Sequence, residues 1–142
     1  MPKHLYHTMS DGKQIRHYQV HNAYGLMMAK ATYEGMMLRD SGKIRPFILT
    51  RSIFFGAQKY AFKWTGDNGA TLGELRTSIN QLLSLGVTGF PFTGADIPGF
   101  WGNATDDLFV LFYQLGALYP FMRAHGHIDF HSREPYLQSD RV

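Results

Sequence analysis

The chain has 142 residues with no internal repeat and no evident linker, which points to one ordinary domain, and its lack of cysteine removes disulfides and thiolate metal sites. Its formal charge of +3 and pI of about 9.2 come from Lys and Arg scattered among acids, without the basic run or helix face that nucleic acid or a membrane surface would call for. The opening MPKHLYHTMSDGK has no apolar run of a signal peptide and no stretch is long enough to span a bilayer, whereas aromatics reach 15% and charged residues only 18%, so much surface needs burial.

In chain order, residues 22–39, NAYGLMMAKATYEGMMLR, place Leu26, Met27, Ala31 and Met36 near one helical stripe that ends at DSGK, which predicts a helix. PFILT at 46–50, apolar, partly β-branched and opened by a proline, predicts a short buried strand, and KYAFKW at 59–64 a second. TLGE at 71–74 has capping-box form: Thr71 can accept from the amide three residues on while Glu74 reaches back. The apolar run after it stops at Gly86, which makes this the best-marked helix. VTGFPF at 87–92 predicts a third strand, and TDDLFVLFYQLGALY at 105–119 a third helix whose first-turn acids suit a helix N-terminus. Strands alternating with helices in this order predict an α/β fold of parallel βα units.

Charged residues then fall at equivalent places. Arg51 follows the first strand, Asp67 the second and Asp96 the third, each where the chain turns into a Gly-rich loop. In a barrel of βα units that end of the strands carries the chemistry. Taken singly, TGDN and TGAD read equally well as turns, since Gly, Asp and Asn all suit turn geometry. Trp64 and Phe100, taken by residue type alone, read as core aromatics.

Three longer segments carry a likeness. RPFILTRSIFFGAQKYAFKWTGDN at 45–68, SLGVTGFPFTGADIPGFWGN at 84–103 and YQLGALYPFMRAHGHID at 113–129 strongly resemble glycoside hydrolase family 31, as do VHNAYG at 20–25 and REPY at 133–136. The resemblance runs from about residue 17 to 137. It implies that residues 1–142 belong to one catalytic domain and form a partial (β/α)8 TIM barrel, about strands 5 to 8 with their helices and loops. Asp67, in WTGD, matches the general acid/base that protonates the glycosidic oxygen and later deprotonates the attacking water. Arg51 matches the arginine of the −1 sugar subsite, Trp64 and Phe100 its aromatic walls, and His125 the histidine that binds glucose hydroxyls. Asp96 lies in a matching motif and is expected to orient Arg51.

Within the family the likeness is greatest to the catalytic α-subunits that trim glucose from N-glycans in the endoplasmic-reticulum lumen. It implies a retaining exo-α-glucosidase for terminal α-linked glucose, with a glucosylated N-glycan as substrate, a non-catalytic β-subunit as partner, and no metal or organic cofactor. Lysosomal or digestive α-glucosidases of the same family remain the alternative parents.

Retaining glycosidases need a second carboxylate about 5 Å from the first. In this family it lies in an upstream W-x-D-M-N-E strand, and no such segment occurs in these residues. A closed barrel also takes about 250 residues. The chain is therefore expected to be a fragment of the catalytic barrel that by itself neither folds stably nor hydrolyses a glycoside, and a sugar-binding remnant without turnover is the second reading. A third class of function starts from HGHIDFH at 125–131, whose His and Asp spacing approaches that of zinc hydrolases, with Phe130 where a ligand His would stand. Smaller departures are Pro98, beside the subsite, and an Asn103-Ala104-Thr105 sequon.

Overall fold

The computed structural model describes residues 2–39 and 41–142. Met1, and the Asp40 of the DSGK segment expected to end the first helix, lie outside the described residues. The chain divides into two compact units, residues 1–61 and 62–142.

The first unit opens with a hairpin the sequence analysis did not anticipate. β1 (Tyr6–Thr8) pairs antiparallel with β2 (Gln14–Arg16), His7 facing Ile15. Its turn is built from Ser10, Asp11 and Gly12, where the Lys13 N–H donates to Asp11 Oδ1 and the Met9 N–H to the Lys13 carbonyl at 2.8 Å. Helix α1 (His17–Arg39) follows at once, five residues earlier than the expected 22–39. The Gln19 side chain explains the early start, because its Oε1 accepts from the Arg16 N–H at 2.9 Å, which is the backward-reaching half of a capping box. The buried face of α1 is Leu26 and Ala29, continued by half-buried Tyr33 and Met36, a run spaced by three and four residues. Met27 and Ala31, expected on that stripe, are exposed, because the expected set mixed two faces of the helix. Tyr33 meets Tyr60 edge-to-face at 5.6 Å. The helix ends in a Schellman motif: Ser41, at φ 54°, donates to the Leu38 carbonyl, and Gly42 donates to that of Met37.

Two strand boundaries differ from expectation. The first strand is β3 (Leu49–Thr50), shorter than 46–50. The second, expected over 59–64, is β4 (Phe62–Trp64). Residues 57–59 form a 3-10 turn, and the amides of Tyr60 and Ala61 both turn back to the Ala57 carbonyl, so the extended run can begin only at Phe62.

In the second unit β4 leads through α2 (Leu72–Val87) to β5 (Thr93–Gly94), which lies parallel to it with Lys63 opposite Thr93. β6 (Asp96–Ile97) then leads through α3 (Asp106–Gly116) to a parallel β7 (Arg123–Ala124), with Asp96 opposite Arg123. These are two βαβ units, the arrangement the alternation of elements implies. Both helices are capped as their sequences suggest, the Thr71 and Thr105 hydroxyls accepting from the amides of Glu74 and Leu108. Only half of the expected capping box forms, since the Thr71 N–H donates to the Gly69 carbonyl instead of to Glu74.

The third strand, expected at 87–92, does not form there. Val87 closes α2, and the residues after it make its C-cap: Gly89, at φ 91°, donates to the Gly86 carbonyl and Phe90 to that of Leu85. Phe90 is buried, and Pro91 has no N–H for a ladder, so extended pairing waits until Thr93. The helices cover the strands with a core of Leu75, Ala95, Ile97, Phe112 and Tyr119. Burying Ile97 and Phe112 completely contributes roughly 1.5–3 kcal/mol apiece. A side chain at Gly116 would collide with Ile97, which is how α3 lies close on β6. Among the described residues no helix is long and apolar enough to cross a membrane.

Candidate active site

The C-terminal ends of β4, β6 and β7 gather the polar and aromatic side chains of the second unit. Beyond β4, the Thr65 N–H still donates to the Gly94 carbonyl, and the chain then turns through Gly66 to half-buried Asp67. Asn68, next to it, is buried and acts as a staple. Its Nδ2 donates to the Asp96 carbonyl at 3.1 Å, its Oδ1 accepts from the Phe100 amide, and its own carbonyl accepts from the amides of Phe100 and Trp101 at 2.8 and 3.0 Å. The loop bearing Asp67 and the loop bearing Phe100 are thereby held in one register, with Gly69 bridging Trp101 in parallel.

Asp96, at the start of β6, is 1% exposed. Its Oδ1 accepts from Arg123 Nη2 at 2.6 Å, across the β6–β7 pair. Its Oδ2 is buried and has no hydrogen-bond partner among the described residues. Burial pushes the Asp96 carboxyl above the usual carboxylate range; the charges of Arg123 and His125 pull it back, and Asp67 adds to the rise. The guanidinium of Arg123 also lies over the Trp64 ring at 5.6 Å, so one cation ties the aromatic end of β4 to the carboxylate of β6. The indole Nε1 of Trp64 is buried without a partner among the described residues.

Beyond β7, the His125 amide donates to the Ile97 carbonyl at 3.0 Å, and its ring lies 5.5 Å from that of Phe100, tilted by 37°. Arg133, 6% exposed, donates from Nη2 to the Gly102 carbonyl at 2.7 Å and buttresses the Phe100 loop from behind. Burial lowers its guanidinium below the ordinary arginine value. Tyr113 on α3 donates to the Arg133 carbonyl at 2.6 Å, and burial raises this phenol.

Of the residues singled out from the sequence, Asp67, Trp64, Asp96, Phe100 and His125 therefore stand on, or just beyond, β4, β6 and β7 of one unit. Arg51 follows β3 in the other unit, where it is exposed. The arginine that meets Asp96 inside the second unit is Arg123. In the sequence Arg123 is marked only as part of the family-like segment at 113–129, without a role, and Asn68 only as a turn residue. What marks both is position, one immediately after Asp67 and the other two residues before His125.

The HGHIDFH segment supplies no ligand set. Among the described residues no group of three or more His, Asp, Glu or Cys could hold a metal ion. His127 instead stacks on Trp101, with Nδ1 3.3 Å from Asp129 Oδ2, and the His131 amide donates to Asn103 Oδ1.

Residues 2–142 match the glycosyl hydrolases family 31 TIM-barrel domain. The chain is 51% identical over 127 residues to a probable glucan 1,3-alpha-glucosidase of Arabidopsis thaliana, a match covering 89% of this chain and 14% of that protein. It is similar to the crystal structure of a glucosidase II alpha subunit bound to alpha3-Glc2, with TM-score 0.83 and 49% identity over 88% of this chain and 14% of the other. A second similar structure, with TM-score 0.82 and 49% identity over the same shares, is the endoplasmic-reticulum glucosidase II heterodimer of catalytic subunit and regulatory-subunit binding domain. The chain thus spans about one seventh of the length of these relatives, 14% in each.

Proposed function

Because the chain belongs to glycoside hydrolase family 31, and its βαβ units are part of that family's (β/α)8 barrel, we propose that it contributes half the catalytic pair of a retaining exo-α-glucosidase. The observation that carries this reading is the gathering, at and beyond the ends of parallel strands, of a half-buried carboxyl at Asp67, a histidine and two aromatic rings, backed by the buried Asp96–Arg123 pair that opens β6 and β7. That end of a barrel is where its chemistry is done.

In this reading Asp67 donates a proton to the glycosidic oxygen as the bond to the leaving sugar breaks, while a carboxylate from elsewhere in the whole protein attacks the anomeric carbon. Asp67, then ionised, takes a proton from the water that hydrolyses the glycosyl–enzyme ester, and the product keeps its anomeric configuration. Phe100 and Trp64 offer flat apolar walls to a pyranose, and His125 a polar edge to its hydroxyls. For Arg51, in the first unit, the family likeness supports the role of a paired donor to sugar hydroxyls. Asp96, ion-paired to Arg123, is a positioning group in this scheme. Residues 1–142 act as one section of a single catalytic domain.

The substrate is terminal α-linked glucose on an oligosaccharide. The likeness to glucosidase II supports a glucosylated N-glycan, a non-catalytic regulatory subunit as partner and the endoplasmic-reticulum lumen as the place of work.

The test uses the whole protein with Asp67→Asn. For a disaccharide, kcat is expected to fall by about 10²–10⁴-fold, the usual contribution of a general acid. α-Glucosyl fluoride, whose leaving group needs no proton, should lose far less in the glycosylation step. Equal losses of kcat/KM, which reports glycosylation, on both substrates, or none on either, would remove Asp67 from the role. Binding of glucosides by the wild-type protein with no turnover would favour the sugar-binding reading instead.

A further inference from the structure

Trp101 stands one residue beyond Phe100, and at 46% exposed it is the open member of an aromatic row. His125 lies 5.5 Å from Phe100, Phe100 meets Trp101 edge-on at 4.9 Å, and His127 stacks under Trp101 at 4.7 Å and 24°. Phe130 closes the far edge at 6.2 Å. The backbone of Trp101 is pinned on both sides, its amide donating to the Asn68 carbonyl at 3.0 Å and its own carbonyl accepting from the Ala70 amide at 2.8 Å. The indole is therefore a preformed surface with one face lined by an imidazole.

Its place matters because of what Asp67 does in the reading above. A general acid stands at the oxygen that joins two sugar rings, so the ring leaving with that oxygen must rest against whatever flanks the acid on its outer side. Asn68, the residue after Asp67, holds Trp101 directly. The geometry points to Trp101, stacked on His127, as the platform for the leaving sugar: a +1 subsite for a pyranose aglycone that determines the preference for oligosaccharides over glucosides with small leaving groups. Flat aromatic faces suit the apolar C–H face of a pyranose, and this one needs no ordering on binding. This inference rests on the glucosidase reading.

The experiment compares Trp101→Ala and Trp101→Phe with the wild-type whole protein on α-glucosyl fluoride, which has no sugar aglycone, and on an α-1,3-linked glucose disaccharide. Trp101→Ala is expected to lower kcat/KM for the disaccharide by about three- to tenfold, the scale of one lost aromatic stacking contact, through a raised KM. The fluoride should be hydrolysed at close to the wild-type rate, which also reports that the variant is folded. Trp101→Phe should recover most of the disaccharide activity. Equal falls on the two substrates, or no fall on the disaccharide, overturn the subsite. A wild-type protein that hydrolyses neither substrate overturns the glucosidase reading itself, and the subsite with it.

Discussion

The ion pair between Asp96 and Arg123 is the residue-level contact on which the candidate site most depends. One carboxylate oxygen has a charged donor at 2.6 Å while the other is buried without a partner, so the carboxyl is close to the limit of what its surroundings support. Arg123→Gln in the whole protein should therefore cost about 3 kcal/mol, read as a lower denaturant midpoint, because it strands a buried charge. The sign with pH follows from the direction of the shift. Asp96 already titrates above its ordinary value of 3.8, and loss of the guanidinium raises it further, so the folded variant binds a proton that the unfolded chain does not. The penalty should be full at neutral pH and shrink as pH falls and Asp96 is protonated. A penalty that is constant with pH would mean that Arg123 acts through packing on Trp64 rather than through charge. The placement of Asp67 and Asp96 after strand-like runs was legible from turn residues alone, and their chemistry from the family likeness. The Arg123 partnership was not, since nothing within a few residues of Asp96 announces it.

At the scale of elements, local signals worked where the interaction itself is local. Thr71 and Thr105 cap their helices because a hydroxyl reaches an amide three residues away, whatever the rest of the chain does. The misread stretch is VTGFPF, whose apolar and β-branched residues resemble a strand. Gly89 decided otherwise by adopting the left-handed conformation that closes α2, and the apolar character of Phe90 serves burial beside the cap. Gly89→Ala should accordingly destabilise the whole protein by about 1 kcal/mol, the cost of a Cβ at positive φ, measured by thermal or denaturant unfolding. A strand at this position would accept the alanine without loss. The hairpin β1–β2 went unseen for a similar reason. Its strands are three residues each, too short to show alternation, and only Asp11-Gly12 marks the turn.

At the scale of the whole molecule the two compact units are expected to respond differently to acid. In the first, His7 Nε2 lies 2.9 Å from His17 Nδ1, and His17 Nε2 lies 2.8 Å from His21 Nδ1, a series of three imidazoles against Tyr24 with His17 1% exposed. Burial, then the neighbouring His21 and His7, lower His17 below its usual 6.5. A histidine whose folded value is depressed contributes stability that is present above the unfolded value and lost as pH falls through the folded one. In the whole protein the amides of β1, β2 and the first turn of α1 should thus lose protection against exchange, after correction for the intrinsic pH dependence and relative to β4 and β5, as pH is lowered from about 7 to about 5. Equal change in both units would remove the imidazole series as the cause. The surface is also rich in exposed large apolar groups, Val87 at 90%, Phe55 at 86% and Leu118 at 80% among them. Such exposure suits a chain that spans 14% of the length of its relatives.

The sequence by itself determined the family likeness, the order of βα elements, the helix caps and the presence of acids at strand ends, because each depends on residues within a few positions of one another or on motifs carried whole. Tertiary structure alone decided which groups meet. Asp96 faces Arg123 across 27 positions through the register of β6 on β7, and Asn68 reaches the Asp96 carbonyl across 28 and the Phe100 amide across 32. Register is set by how α2 and α3 bury their apolar faces on the strands, and that packing is a property of the folded unit that no short stretch of its sequence contains.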